Sequence, residues 1–228
     1  MLFKALAVVL LAVGVLGEYQ ITDDQRQMFK DYVKKACESN NAPDKVEQVE
    51  TAARNFMDCV KGLFDAETVK KEIEEAKPNG ALDEVFKKYC AKSPQLKTCI
   101  SNMAEGISPC LDPSIREHIG AGKSATNQLI DFVCYKDGDR IALFIAEEGP
   151  ECFKEKSGAL RTCVNKLREE IKSVEEAKKL TLEQKCGKFD EMTQCVVKAL
   201  EECSSPTPGN MAESLFKYVR NESPCKKN

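Results

Sequence analysis

Apolar residues return every three or four positions along most of this chain, the spacing of a single buried stripe on an α-helix. Val46, Val49, Ala53, Phe56, Val60 and Leu63 form one such stripe. Leu160, Val164, Leu167, Ile171 and Val174 form another, and Leu182, Cys186, Phe189, Met192, Val196 and Leu200 a third. The positions between them are rich in Lys and Glu, the composition of a solvated face. No run alternates apolar and polar residues as a half-buried strand would. Thr22-Asp23-Asp24 and Asp44 are expected as N-caps or first-turn acids. Pro94, Pro113 and Pro150 suit first helical turns, where a missing N–H costs little. Pro78-Asn79-Gly80 and the Ser204–Gly209 stretch read as breaks. The pattern predicts an all-α protein of about ten helices joined by short loops.

The N-terminus departs from this pattern. Lys4 is followed by an unbroken apolar or small run from Ala5 to Gly17, too short for a bilayer and ending in small residues before Glu18. That is the layout of a cleaved secretory signal over residues 1–17, with the cut after Gly17. No later stretch approaches the roughly 20 apolar residues of a transmembrane helix. The 228-residue chain carries 34 Lys and Arg against 37 Asp and Glu, so losing Lys4 with the signal leaves a formal charge of −4. This mild acidity offers no electrostatic footprint for nucleic acid or an anionic membrane.

Cysteine usage changes the picture further. All twelve cysteines lie beyond the signal: Cys37, Cys59, Cys90, Cys99, Cys110, Cys134, Cys152, Cys163, Cys186, Cys195, Cys203 and Cys225. An even count in an exported chain reads as structural disulfides. No Cys-x-x-Cys pair is present for zinc or redox chemistry. The spacings from Cys90 through Cys99 and Cys110 to Cys134 resemble those from Cys186 through Cys195 and Cys203 to Cys225. Asp58-Cys-Val-Lys-Gly-Leu63 is similar to Thr162-Cys-Val-Asn-Lys-Leu167, and Lys71–Lys77 to Lys172–Lys178. These echoes predict two tandem six-cysteine helical units packed together, residues 18–137 and 138–228. The expected bridges join neighbouring cysteines, as Cys37–Cys59 would by closing the first helical hairpin, each adding about 3 kcal/mol.

Candidate chemistry is sparse. Asp137-Gly138-Asp139 has the look of a calcium loop, but neither register puts ligands at the required positions. Starting at Asp131, Val133, Tyr135 and Lys136 fall where acids and the glycine belong. Starting at Asp137, Ile141 and Ala142 do. The loop is read instead as a joint, with Asp139 capping a short helix over Ile141–Ala146 that Gly149 ends. Gly120-Ala-Gly-Lys-Ser124 resembles a phosphate loop but lacks its first glycine, Glu117 standing there, and its preceding strand. It is read as a flexible loop. His118 is the only histidine, so no multi-histidine metal site can form, and it is read as an exposed, solvated side chain rather than a triad member. Asn221-Glu-Ser223 is a glycosylation sequon followed by Pro224. No metal, cofactor or catalytic residue is expected.

Val85–Cys90, Leu96–Ile100, Pro109-Cys-Leu111 and above all Cys134–Phe153 resemble the insect 27 kDa haemolymph glycoprotein family, most strongly over residues 59–153. The resemblance implies secretion into haemolymph. It implies no activity, since that family has no settled biochemical function, and so no site residues.

Two functional readings follow. In the first the protein is a non-enzymatic carrier of a small apolar ligand held between helices, lined by Leu129, Phe132, Val133, Ile141, Phe144 and Ile145, residues whose plainer reading is core packing. In the second it is a structural, storage or defence-related interaction protein that meets other haemolymph proteins through its surface. The sequence leaves the oligomeric state open.

Overall fold

A computed structural model describes residues 23–171, 174–221 and 223–226; the expected signal over residues 1–17 and Thr22 lie outside them. Among the described residues there is no strand, and α-helices of six or more residues number twelve. In chain order they are α1 (Asp23–Ser39), α2 (Val46–Leu63), α3 (Ala66–Ala76), α4 (Leu82–Cys90), α5 (Ser93–Ile107), α6 (Ile119–Val133), α7 (Asp139–Ala146), α8 (Gly149–Glu155), α9 (Ser157–Glu170), α10 (Val174–Lys179), α11 (Leu182–Glu201) and α12 (Thr207–Asn221). A single helical turn at Pro113–Arg116 and four short 3-10 segments complete the path.

Local chemistry sets the helix ends. Asp65 accepts the Thr68 N–H at 2.8 Å and starts α3. Thr181 and Gln184 form a reciprocal capping box at the head of α11. Pro94, Pro113 and Pro150 all sit in first turns, as their fixed φ favours. The stripe expected to run to Val174 is interrupted, because the chain leaves the helix at Ile171 (φ −128°, ψ 88°).

Two further expectations are corrected. Gly120-Ala-Gly-Lys-Ser124 is helical, the opening of α6, and Lys123 there pairs with Glu105 at 2.8 Å. Asp139 is the first residue of α7 rather than its cap. Gly138 holds the cap position at φ 102°, after Lys136 and Asp137, which are also left-handed.

The chain divides into two compact units: one holds residues 91–127 together with the described residues up to 79, the other residues 80–90 and 128 onward. The division does not follow the 137/138 boundary suggested by the cysteine spacing. Helix α4 packs against α7 and the 3-10 turn Tyr135–Gly138. A Cβ on Gly138 would stand 2.7 Å from the Phe86 Cβ, so this approach needs glycine for space as well as for φ.

In the first unit α2 and α5 make the largest helix–helix contact. Val33, Cys37, Ala42, Val49 and Cys110 form its buried cluster, with Val46 and Ile107 packed against it. In the second unit α11 packs on α9 and α12. There Cys152, Cys163, Val196, Leu200 and Ala212 are buried together.

All twelve cysteines are paired: Cys37–Cys110, Cys59–Cys99, Cys90–Cys134, Cys152–Cys203, Cys163–Cys195 and Cys186–Cys225. The expected Cys37–Cys59 bridge is therefore wrong. Cys59 faces α5, the main partner of α2. Cys37 instead meets the turn after α5, where Asn40 Nδ2 also donates to the Cys110 carbonyl at 3.1 Å. The cysteines of α1 and α2 thus reach elements distant in the chain rather than each other.

Candidate functional site

The six apolar residues proposed as a ligand lining lie in the second unit, and much of their surface already has a partner. Phe132 is 5% exposed, with the Arg140 guanidinium 4.0 Å from its ring centroid and the Tyr218 ring at 5.6 Å. Arg140 also donates to the Phe132 carbonyl at 3.0 Å. Phe144 meets Phe153 edge to face at 5.5 Å and lies directly against Gly149. Leu129, Val133, Ile141 and Ile145 are half-buried.

A recess exists elsewhere, in the first unit, along the α2–α5 contact. It encloses about 290 Å³ and is lined by Gln48, Thr51, Ala52, Asn55, Phe56, Cys59, Cys99, Asn102, Met103 and Gly106. None of the six expected residues borders it. On α2 the spacing Gln48, Ala52, Asn55, Cys59 keeps to one helical face, as Cys99, Asn102, Met103 and Gly106 do on α5. Two features hold the helices in register. The Cys59–Cys99 bridge fastens one end, with Cα atoms 6.1 Å apart. At the other, Gly106 lies so close to Ala52 that an added Cβ would sit 2.3 Å from the Ala52 Cβ. Gln48 Nε2 donates to the Gly106 carbonyl at 3.3 Å across the same seam.

The recess is an open groove, since Gln48, Thr51, Asn55, Cys59 and Asn102 are exposed while Phe56 and Met103 are half-buried. Its floor is an aromatic ring, a thioether and a disulfide; its rim is amides and a hydroxyl. No charged side chain lines it. The nearest perturbed acid in sequence is Glu105, held below the usual carboxylate range by hydrogen bonds from Lys123 and Ser101, and it is not part of the lining. The groove can therefore hold an uncharged molecule by burial and amide hydrogen bonds, and its lining carries no ionisable acid or base.

Other candidates stay apart from it. His118 is exposed, its Nδ1 2.7 Å from the Ser114 carbonyl oxygen. Among the described residues no three His, Cys, Asp or Glu side chains converge as a metal site. Asn221 is exposed at the end of α12. The Ser223 hydroxyl of its sequon donates to the Arg220 carbonyl at 2.8 Å and accepts the Cys225 N–H at 3.1 Å. Among the described residues no helix is long and apolar enough to cross a membrane.

Residues 23–225 match the family described as a protein of unknown function, DUF1397. The chain is 59% identical to a 27 kDa hemolymph protein of Galleria mellonella over 100% of its own length and 98% of the relative's. It is 56% identical to a 27 kDa glycoprotein of Bombyx mori, covering 99% and 96% of the two chains. It is 51% identical to a 27 kDa hemolymph glycoprotein of Manduca sexta, covering 99% and 97%. No solved structure matches it. With six bridges closed, relatives found in hemolymph and the match running nearly end to end, the chain is a secreted protein and belongs to the DUF1397 family.

Proposed function

We propose that the protein is a non-catalytic binding protein of the extracellular fluid, and that it carries a small, uncharged, largely apolar molecule in the α2–α5 groove. The supporting observation is the lining itself. About 290 Å³ of space meets Phe56, Met103 and a disulfide below and four amide or hydroxyl side chains above, with no charge. That volume falls just below the usual range of small-molecule sites, about 300 to 1,000 Å³. A charged ligand would lose hydration there without gaining a counter-ion. An uncharged ligand buries apolar surface at about 25 cal/mol per Å² and spends its few polar atoms on the rim amides.

The test is a fluorescence titration of the oxidised full-length protein with N-phenyl-1-naphthylamine, a neutral apolar probe. One saturable equivalent is expected. Asn55→Trp, at an exposed rim position, should weaken binding at least tenfold while leaving the fold intact. Absence of saturable binding, or undiminished binding by that variant, refutes the assignment. Organic extraction and mass spectrometry of the secreted protein would then identify the natural occupant.

A further inference from the structure

The bridges repeat a pattern. Numbered in chain order, the six cysteines from Cys37 to Cys134 pair first with fifth, second with fourth and third with sixth. The six from Cys152 to Cys225 pair in the same order. Six cysteines can pair in 15 ways, so unrelated segments would agree about once in fifteen.

The helices follow the same order. The second cysteine of each set lies on α2 or α9, and a helix without cysteine, α3 or α10, comes next. The third and fourth lie on α4 and α5 in one segment and together on the 20-residue α11 in the other. The fifth follows directly, then a helix of 15 residues in both cases, α6 and α12.

A second correspondence, counted from the shared second-to-fourth bridge, comes from the groove. Counting back from the second cysteine and forward from the fourth, Ala52 corresponds to Lys156 and Gly106 to Glu202. Ala52 and Gly106 touch across the Cys59–Cys99 bridge. Across the Cys163–Cys195 bridge, Lys156 Nζ stands 3.4 Å from Glu202 Oε2 and 3.2 Å from Glu155 Oε1, with 17% of the lysine side chain exposed against 71% of Glu202. The same two positions face each other in both segments. In the second, a four-carbon stem and a charge pair occupy what the first leaves to the smallest residues.

We infer that the chain is a duplicated six-cysteine unit with one open and one closed groove, and that Lys156 and Glu202 close the second. The carrier function would then belong to the first segment alone. The inference rests on the groove assignment above for its functional meaning, and its geometry can be tested separately. By the same register Leu160 stands for Phe56 and Ala199 for Met103, which gives the second groove an apolar floor, while Glu155 and Lys198 stand for Thr51 and Asn102 at its rim.

Lys156→Ala with Glu202→Gly, which copies the Ala52–Gly106 pair, should raise the saturating N-phenyl-1-naphthylamine stoichiometry by one equivalent over wild type. Peptide mapping under non-reducing conditions verifies the bridges of both proteins. An increment of one supports the closed groove even if wild type binds nothing, an outcome that would reject the function of the first groove instead. No increment in a variant with all six native bridges overturns the inference, as does any departure from the shared pairing order in wild type. If the double variant fails to form its bridges, Lys156→Ala alone takes its place, with the same increment expected and the same absence overturning it.

Discussion

Replacing Gly106 by Ala sets two known effects against each other at one position. Alanine in place of glycine inside a helix is worth up to about 1 kcal/mol from backbone propensity. The new Cβ, however, would stand 2.3 Å from the Ala52 Cβ, an atom fixed to the facing backbone and unable to swing aside. Relieving that contact requires α2 and α5 to separate along their largest contact, and overpacking of this kind costs about 1–3 kcal/mol. The expected net effect is a destabilisation of up to about 2 kcal/mol, the overpacking range less the propensity gain. Gly187, inside α11, has nothing within 4 Å of its would-be Cβ. Gly187→Ala should therefore gain up to about 1 kcal/mol. The two variants bracket wild type in urea denaturation of the oxidised protein, read as a shift in midpoint at constant m. Moving the methyl across the seam, with Ala52→Gly and Gly106→Ala together, should restore most of the loss and give a clear coupling energy. If Gly106→Ala stabilises as Gly187→Ala does, α2 and α5 are not in the close contact described, and the groove between them loses its geometry.

Two further outcomes follow from the bridges and charges. Removing Cys37–Cys110 (both to Ala) should cost more than removing Cys59–Cys99. The separations of 73 and 40 residues alone differ by about 0.5 kcal/mol in loop entropy, and Cys37 and Cys110 also belong to the buried cluster whereas Cys59 is exposed. Equal urea midpoints for the two double variants would contradict this. Stability should also fall in acid. Hydrogen bonds from Thr68, Lys123 and Lys188 hold Asp65, Glu105 and Glu170 below their ordinary values of 3.8, 4.5 and 4.5. A depressed folded-state pKa adds stability that is complete above the unfolded value and is lost as pH falls through the folded one. The urea midpoint should therefore decline below about pH 4.5, and Glu105→Gln should flatten that decline; an unchanged slope would remove Glu105 from the account.

What the sequence could and could not disclose follows from how these helices are held. The helical class was legible because stripes such as Val46–Leu63 need only local periodicity, and every residue of that stripe is buried or half-buried in α2. Gly120–Ser124 was misjudged because glycines in an exposed first turn cost little and need no loop; both have open space around them. Bridge pairing was out of reach for a different reason. Cys37 finds Cys110 across 73 residues, a meeting decided by the packing of α2 on α5 rather than by chain neighbours. The groove was hidden by the same packing. A search for apolar stripes passes over Gln48, Asn55 and Asn102, and picks out Phe132 and Phe144, which are committed to Arg140, Tyr218 and Phe153. Its one visible sign was the small pair Ala52 and Gly106, meaningful only once the two helices are known to face each other. A covalent bridge at Cys59–Cys99 relieves the α2–α5 seam of the need to be apolar throughout. That freedom lets amides and a hydroxyl line a helix–helix contact, which in a bundle without disulfides would have been filled with Leu and Ile.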